Sequence, residues 1–268
     1  MDIFSYQFFI NALIGIAIIS IASAIIGTYI VTRRLVSISG GVTHACFGGL
    51  GLGYFLGISP VAMAALFAVG SSLLVETMST RWRVREDSAI AVVWALGMAI
   101  GVIFVFMTPG YVPELTSFLF GNILTISNSD IALFAVYTVA LIAFFAIYFR
   151  KIVAVAFDRD FATISGLPVK FISTVMTVMI ALCIVLTIKL VGIMLLMSML
   201  SLPQMIAENF FSRLKSIMFA SVSISLIGSV AGLMLSLAID VPCSALIVAV
   251  FAVMYVISKI TSVWLKKS

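Results

Sequence analysis

Charge is what this sequence most lacks. Of its 268 residues 9% are charged and 63% are hydrophobic. A soluble domain carries about 25% charged residues to cover its surface. The deficit excludes an ordinary water-soluble fold and fits a surface that faces hydrocarbon. Histidine is almost missing, with His44 the single example. Cysteine is scarce, and Cys46, Cys183 and Cys243 stand far apart with no CxxC pair. Neither a thiolate metal site nor a disulfide framework is indicated. There is no GxxxxGK[ST] loop, so nucleotide is not bound in that manner. No HExxH motif and no clustered carboxylates within apolar runs speak for a membrane protease. The N-terminus has no basic leader and no evident cleavage site, so its first apolar run is expected to be a retained span.

What the sequence does have is long apolar runs. A membrane helix needs about 20 such residues to cross about 30 Å of hydrocarbon. Runs occur at 8–31, 35–56, 61–79, 88–107, 131–149, 171–188, 190–202, 217–239 and 244–264. The 190–202 run is too short for a full crossing and reads as a short tilted helix or one arm of a re-entrant hairpin. The expectation is an all-α, polytopic bundle of eight or nine membrane helices, forming a single transmembrane domain over residues 1–268.

The net charge of +5 is distributed by side rather than clustered for nucleic acid. With nine crossings, Arg33, Arg34, Arg81, Arg83, Arg85, Arg150, Lys151, Arg159, Lys170, Arg213, Lys215, Lys259, Lys266 and Lys267 all fall on one side. Only Lys189 falls on the other, with Asp2, Glu114, Asp130 and Asp240. Positive residues stay inside, which puts the N-terminus outside and the C-terminus in the cytoplasm. Three connections exceed simple turns: 108–130 outside, with an amphipathic stretch at 115–126, and 152–170 and 201–216 inside. They suggest an outer partner or lid and an inner docking surface, or else ordinary loops.

The second run is unusually rich in small residues. At about 100° per residue, Gly49, Gly53 and Gly57 share one face, a small-xxx-small surface that admits a second helix backbone. Ser37, Gly40, Gly41, His44, Gly48 and Gly51 gather on roughly the opposite face, read as an open, polar-tipped strip. An ionisable residue inside a span usually faces a cavity or a partner. His44 is therefore either a metal ligand or a neutral histidine hydrogen-bonded to a neighbouring helix. Cys46 lies roughly 200° around the helix and cannot share a ligand with it. The methionines are scattered and read as packing.

Three stretches together resemble a known family. The first is Arg33-Arg-Leu-Val-Ser-Ile-Ser-Gly-Gly-Val-Thr-His44-Ala. The second is Phe118-Leu-Phe-Gly-Asn-Ile-Leu. The third is Lys189-Leu-Val-Gly-Ile-Met-Leu-Leu-Met-Ser-Met-Leu-Ser-Leu-Pro203. In order and spacing they resemble the permease subunit of bacterial ABC importers for zinc, manganese or iron, a fold similar to that of the vitamin B12 and siderophore importer permeases. In two places the chain departs from that pattern. Gly40 stands one turn before His44 where the family has aspartate, and Glu208 stands where it has arginine.

The resemblance implies a non-enzymatic permease of the bacterial inner membrane, working as a homodimer. ATP hydrolysis would reside in an ATPase subunit docked on the cytoplasmic face, and a solute-binding protein would deliver the cargo from outside. The transported ion would be a divalent metal, zinc first, with His44 a transient ligand and no permanently bound cofactor. Pro203, Gln204, Ala207, Glu208 and Arg213 would form the ATPase coupling segment. A metal chelate such as a siderophore or cobalamin is an alternative cargo. A membrane scaffold or membrane-embedded enzyme is the alternative class; an enzyme should show clustered His, Asp or Glu, and His44 stands alone.

Overall fold

The computed structural model describes residues 6–109, 121 and 123–265. Asp2, Glu114, Lys266 and Lys267, most of the 115–126 stretch, and Phe118–Phe120 with Asn122 of the second motif lie outside the described residues. Apart from one 3₁₀ turn, Ile123–Thr125, the regular structure described is α-helix. In chain order it comprises α1 (Gln7–Thr32), α2 (Val36–Leu56), α3 (Pro60–Thr80), α4 (Glu86–Met107) and α5 (Asn128–Phe157). There follow α6 (Arg159–Ile164), α7 (Val169–Met199), α8 (Leu202–Glu208), α9 (Leu214–Ile239) and α10 (Cys243–Leu265).

Among the described residues seven helical stretches are long and apolar enough to cross a membrane, against the eight or nine expected. Two features account for the difference from nine apolar runs. The 171–188 and 190–202 runs are not separate crossings but successive arms of one helical stretch, α7, joined across a kink and followed after a short turn by α8. Helix α2 has the length, but its six glycines and His44 dilute its hydropathy. A break at Gly192, with φ 78° and ψ 174°, divides α7 into a long and a short arm. That backbone region is open essentially to glycine alone, so the third motif carries its own hinge.

Local signals set several helix ends. Ser59 caps α3 by accepting from the Ala62 N–H, with Pro60 in the first turn. Asp158 accepts from the Phe161 N–H at 2.8 Å and starts α6. Gly57 ends α2 in the left-handed conformation, donating to the Gly53 and Tyr54 carbonyls.

The described chain clusters into two compact units. The first contains residues 1–32, 115–142 and 187–268. Here α1 is apolar on every side and buried for most of its length, as a helix enclosed by others should be. It packs on α9, which packs on α10, and α8 is inserted against all three. Small residues line these contacts. Ser225 Oγ donates to Ser20 Oγ at 3.1 Å, and a Cβ added to Gly232 would lie 2.6 Å from the Ile247 Cα. At one end Lys189 forms an ion pair with Asp130, and Gly121 packs its bare backbone onto Val191 and Gly192. Asp240 lines a cleft of about 670 Å³ with Gly121 at the same end. At the far end of α10, Asn209 donates to Ser258 Oγ at 3.0 Å and accepts from Lys259.

The second unit contains residues 33–114 and 143–186. Helix α2 packs on α3 and α4, which also touch each other. Thr177 of α7 donates to the Glu76 carboxylate of α3 at 3.1 Å. Arg81, Arg159 and Lys170, from separate stretches of the sequence, line one cleft.

The glycine contacts predict a contrast between two substitutions. A Cβ at Gly49 would lie 2.7 Å from the Ala64 Cα, whereas one at Gly70 meets nothing within 4 Å. Gly49→Ala should destabilise the protein by about 1–3 kcal/mol. Gly70→Ala should be neutral or stabilise by up to about 1 kcal/mol. Thermal unfolding of the two variants in detergent checks both.

Candidate functional site

Two regions carry the residues singled out from the sequence. The first is α2. Gly49 and Gly53 face α3, where added Cβ atoms would reach Ala64 Cα and Pro60 Cα at 2.7 Å in each case. Gly57, grouped with them by spacing, touches nothing and instead ends the helix. The opposite face is closed rather than open. Gly41 meets Ile90, Gly51 comes within 2.9 Å of the Gly101 Cα by its virtual Cβ, and Gly48 meets Phe67 and the Gly97 carbonyl. The strip expected to be accessible is thus mostly a helix contact. Gly40, at the position of the family aspartate, is buried.

His44 remains partly accessible between these contacts. Its imidazole stacks on the Trp94 indole of α4, with centroids 4.6 Å apart and planes 5° from parallel. Phe47, one turn along α2, stacks more loosely at 6.2 Å. The Nδ1 atom is buried and has no hydrogen-bond partner. The hydrogen-bonded histidine considered from sequence is therefore not what the geometry presents. The ring is instead held by its flat face, with Nδ1 unpaired. Among the described residues no group of three or more His, Cys, Asp or Glu is placed to hold a metal ion. Cys46 is buried and donates to the Val42 carbonyl at 3.1 Å, turned away as its spacing required.

Sequence reasoning missed Trp94. The signal was present in α4, where Ile90, Trp94, Gly97 and Gly101 fall on one helical face. The two glycines mark that face as the one that meets another helix.

The second region is α8 and the turn after it. Pro203, Gln204 and Ala207 are buried, while Glu208 and Arg213 are exposed. Gln204 Nε2 donates to the Ser23 carbonyl of α1 at 2.9 Å and to the Met199 carbonyl at 3.2 Å. Gly27 makes room for that amide, since a Cβ there would lie 2.6 Å from the Leu200 carbonyl and closer still to Gln204. The 201–216 stretch is not one helix. It ends α8 at Glu208, turns, and restarts at Leu214. The turn exposes Phe210 and Phe211, at 47% and 46% of their surface, which the sequence had not singled out. Asn209 anchors it to α10. The five residues expected to form a coupling segment thus divide into a buried set, Pro203, Gln204 and Ala207, and an exposed set, Glu208 and Arg213.

The family profile described as ABC 3 transport family matches residues 5–262. A probable metal transport system membrane protein of Chlamydia pneumoniae is 34% identical over 83% of this chain and 78% of its own. The manganese transport system membrane protein MntC of Halalkalibacterium halodurans is 26% identical over 96% of this chain and 88% of its own. The solved structure of PsaBC from Streptococcus pneumoniae in complex with Fab contains a chain that superposes with a TM-score of 0.82 at 26% identity, covering 95% of this chain and 91% of that one.

Replacing Gln204 by leucine keeps the volume and removes both donated bonds. Gln204→Leu is expected to cost about 1–3 kcal/mol of stability, read as a lower unfolding temperature in detergent, whereas Glu208→Gln on the exposed side should leave it within about 0.5 kcal/mol.

Proposed function

We propose, because this chain belongs to the ABC 3 transport family, that it is the membrane permease of an ATP-driven importer for a divalent metal ion. One transmembrane domain per chain would work as a homodimer by alternating access. An ATPase subunit would dock on the exposed turn from Glu208 to Lys215, and an extracytoplasmic binding protein would deliver the ion. The chain would sit in a bacterial cytoplasmic membrane with its N-terminus outside. The charge distribution supports that orientation. The end of the first unit that carries Asp130 and Asp240 has Lys189 tied in an ion pair, while Arg213, Lys215 and Lys259 belong to the other end.

The observation that carries the metal reading is the unpartnered, buried Nδ1 of a half-accessible imidazole. In a membrane a polar atom left bare is expensive, and a transported cation would relieve that cost in passing. Zinc is the first choice of cargo. With Gly40 in place of a carboxylate the chain offers nitrogen at this position, and imidazole suits zinc, whereas manganese favours oxygen. Manganese is the second reading, favoured by relatives named for manganese transport.

In cells expressing the complete transporter at limiting metal, His44→Ala should lower radioactive zinc uptake by about tenfold or more. Unchanged uptake removes His44 from the pathway, and a loss confined to manganese selects the second cargo. Arg213→Glu, on the docking turn, should reduce ATPase co-purification without lowering the unfolding temperature. Intact co-purification would place the docking surface elsewhere.

A further inference from the structure

The cleft of about 1140 Å³ that runs between α3 and the start of α7 has no part in the pathway or the docking turn. Its rim is basic. Arg81 follows the last residue of α3, Arg159 opens α6 and Lys170 lies in the first turn of α7. None of the three takes part in the ion pairs seen among the described residues, such as Arg85 with Asp87 and Lys189 with Asp130. The one lining carboxylate, Glu76, already accepts the Thr177 hydroxyl. Three lining threonines, at 77, 80 and 163, spend their hydroxyl protons on their own helix carbonyls. The rim therefore presents cationic donors and little that would attract a cation.

Its walls are apolar. Leu73 on α3 faces the cleft about two turns in from Arg81, and Phe171 and Val175 on α7 continue inward from Lys170. Phe171 is 50% exposed. The charge sits at the helix ends and the hydrocarbon wall runs along the helix bodies, which is the polarity of a phospholipid: anionic head outward, acyl chain along the span. A soluble anion would have no use for the wall, and an acidic protein segment would have to lie where lipid tails belong. Basic pockets at this depth between membrane helices are suited to phosphate headgroups.

We propose that this cleft is a binding site for an anionic phospholipid of the phosphatidylglycerol or cardiolipin type. Arg81, Arg159 and Lys170 hold its phosphate, and Leu73, Phe171 and Val175 line its acyl chain. The inference needs the chain to be membrane-embedded but does not depend on the cargo or on His44.

The test uses the full-length protein in nanodiscs of equal parts phosphatidylcholine and phosphatidylglycerol, with retained lipid counted by native mass spectrometry. Phosphatidylglycerol should be enriched over phosphatidylcholine. Each of Arg81→Gln, Arg159→Gln and Lys170→Gln should reduce that enrichment about fivefold, and the triple variant should abolish it. Arg83→Gln, off the cleft, should change nothing. If the triple variant fails to fold, a phosphatidylglycerol carrying a photoreactive acyl chain keeps the question open to the native protein, where peptides containing Leu73 and Val175 should be labelled. Labelling elsewhere, undiminished enrichment in a folded triple variant, or displacement of the lipid by glycerol phosphate alone would each overturn the proposal. So would loss of the ATPase subunit from the triple variant with lipid retention unchanged, which would make the cleft a protein-docking surface.

Discussion

Helix α2 is held by backbone lying directly on backbone, and the placement of His44 depends on that contact. In hydrocarbon, apolar side chains gain little by leaving lipid for protein, so helices associate through close van der Waals approach and polar bonds. Glycine allows both sides of one helix to be used this way. Gly49 and Gly53 admit α3, while Gly48 and Gly51 admit α4, which offers Gly97 and Gly101 in return. A helix gripped on two faces has little freedom to rotate. The imidazole between those faces therefore has a fixed bearing, and the indole of Trp94 fixes its plane as well.

The first unit solves the same problem with oxygen. Ser221, Ser225 and Ser229 repeat at helical spacing on the buried side of α9, and Ser225 reaches Ser20 on α1. Gln204 is the larger version, an amide carried by α8 into the flank of α1 through the gap left by Gly27. Such bonds are directional, so they specify how deeply α8 sits. That in turn determines how far the following turn, with its two phenylalanines, stands out.

The helical, lipid-facing character of the chain was legible because it depends on composition and run length, which are local properties. The side assignment of the basic residues rests on the same kind of local property, read from the positions of the charges alone. The count of spans was less so, since hydropathy cannot distinguish a loop from a kink. Lys189 interrupts an apolar run without interrupting a helix, and Gly192, three residues on, bends it. The glycine face of α2 toward α3 followed from spacing. The other face did not, because an open polar strip and a second helix contact have the same sequence signature until the partner is known. The stacking of Trp94 on His44 joins two helices and was beyond the reach of one helix read alone. The burial of Gln204 was also hidden, since a polar residue after a proline reads as surface unless the room at Gly27 is seen.

The Trp94–His44 stack also has an optical consequence. An imidazole in face contact with an indole is well placed to drain its excited state, and the efficiency depends on the electronic state of the imidazole ring. The other two tryptophans, Trp82 and Trp264, are 63% and 77% exposed. The protein thus carries, next to its only histidine, an intrinsic fluorophore whose emission is coupled to whatever that histidine binds.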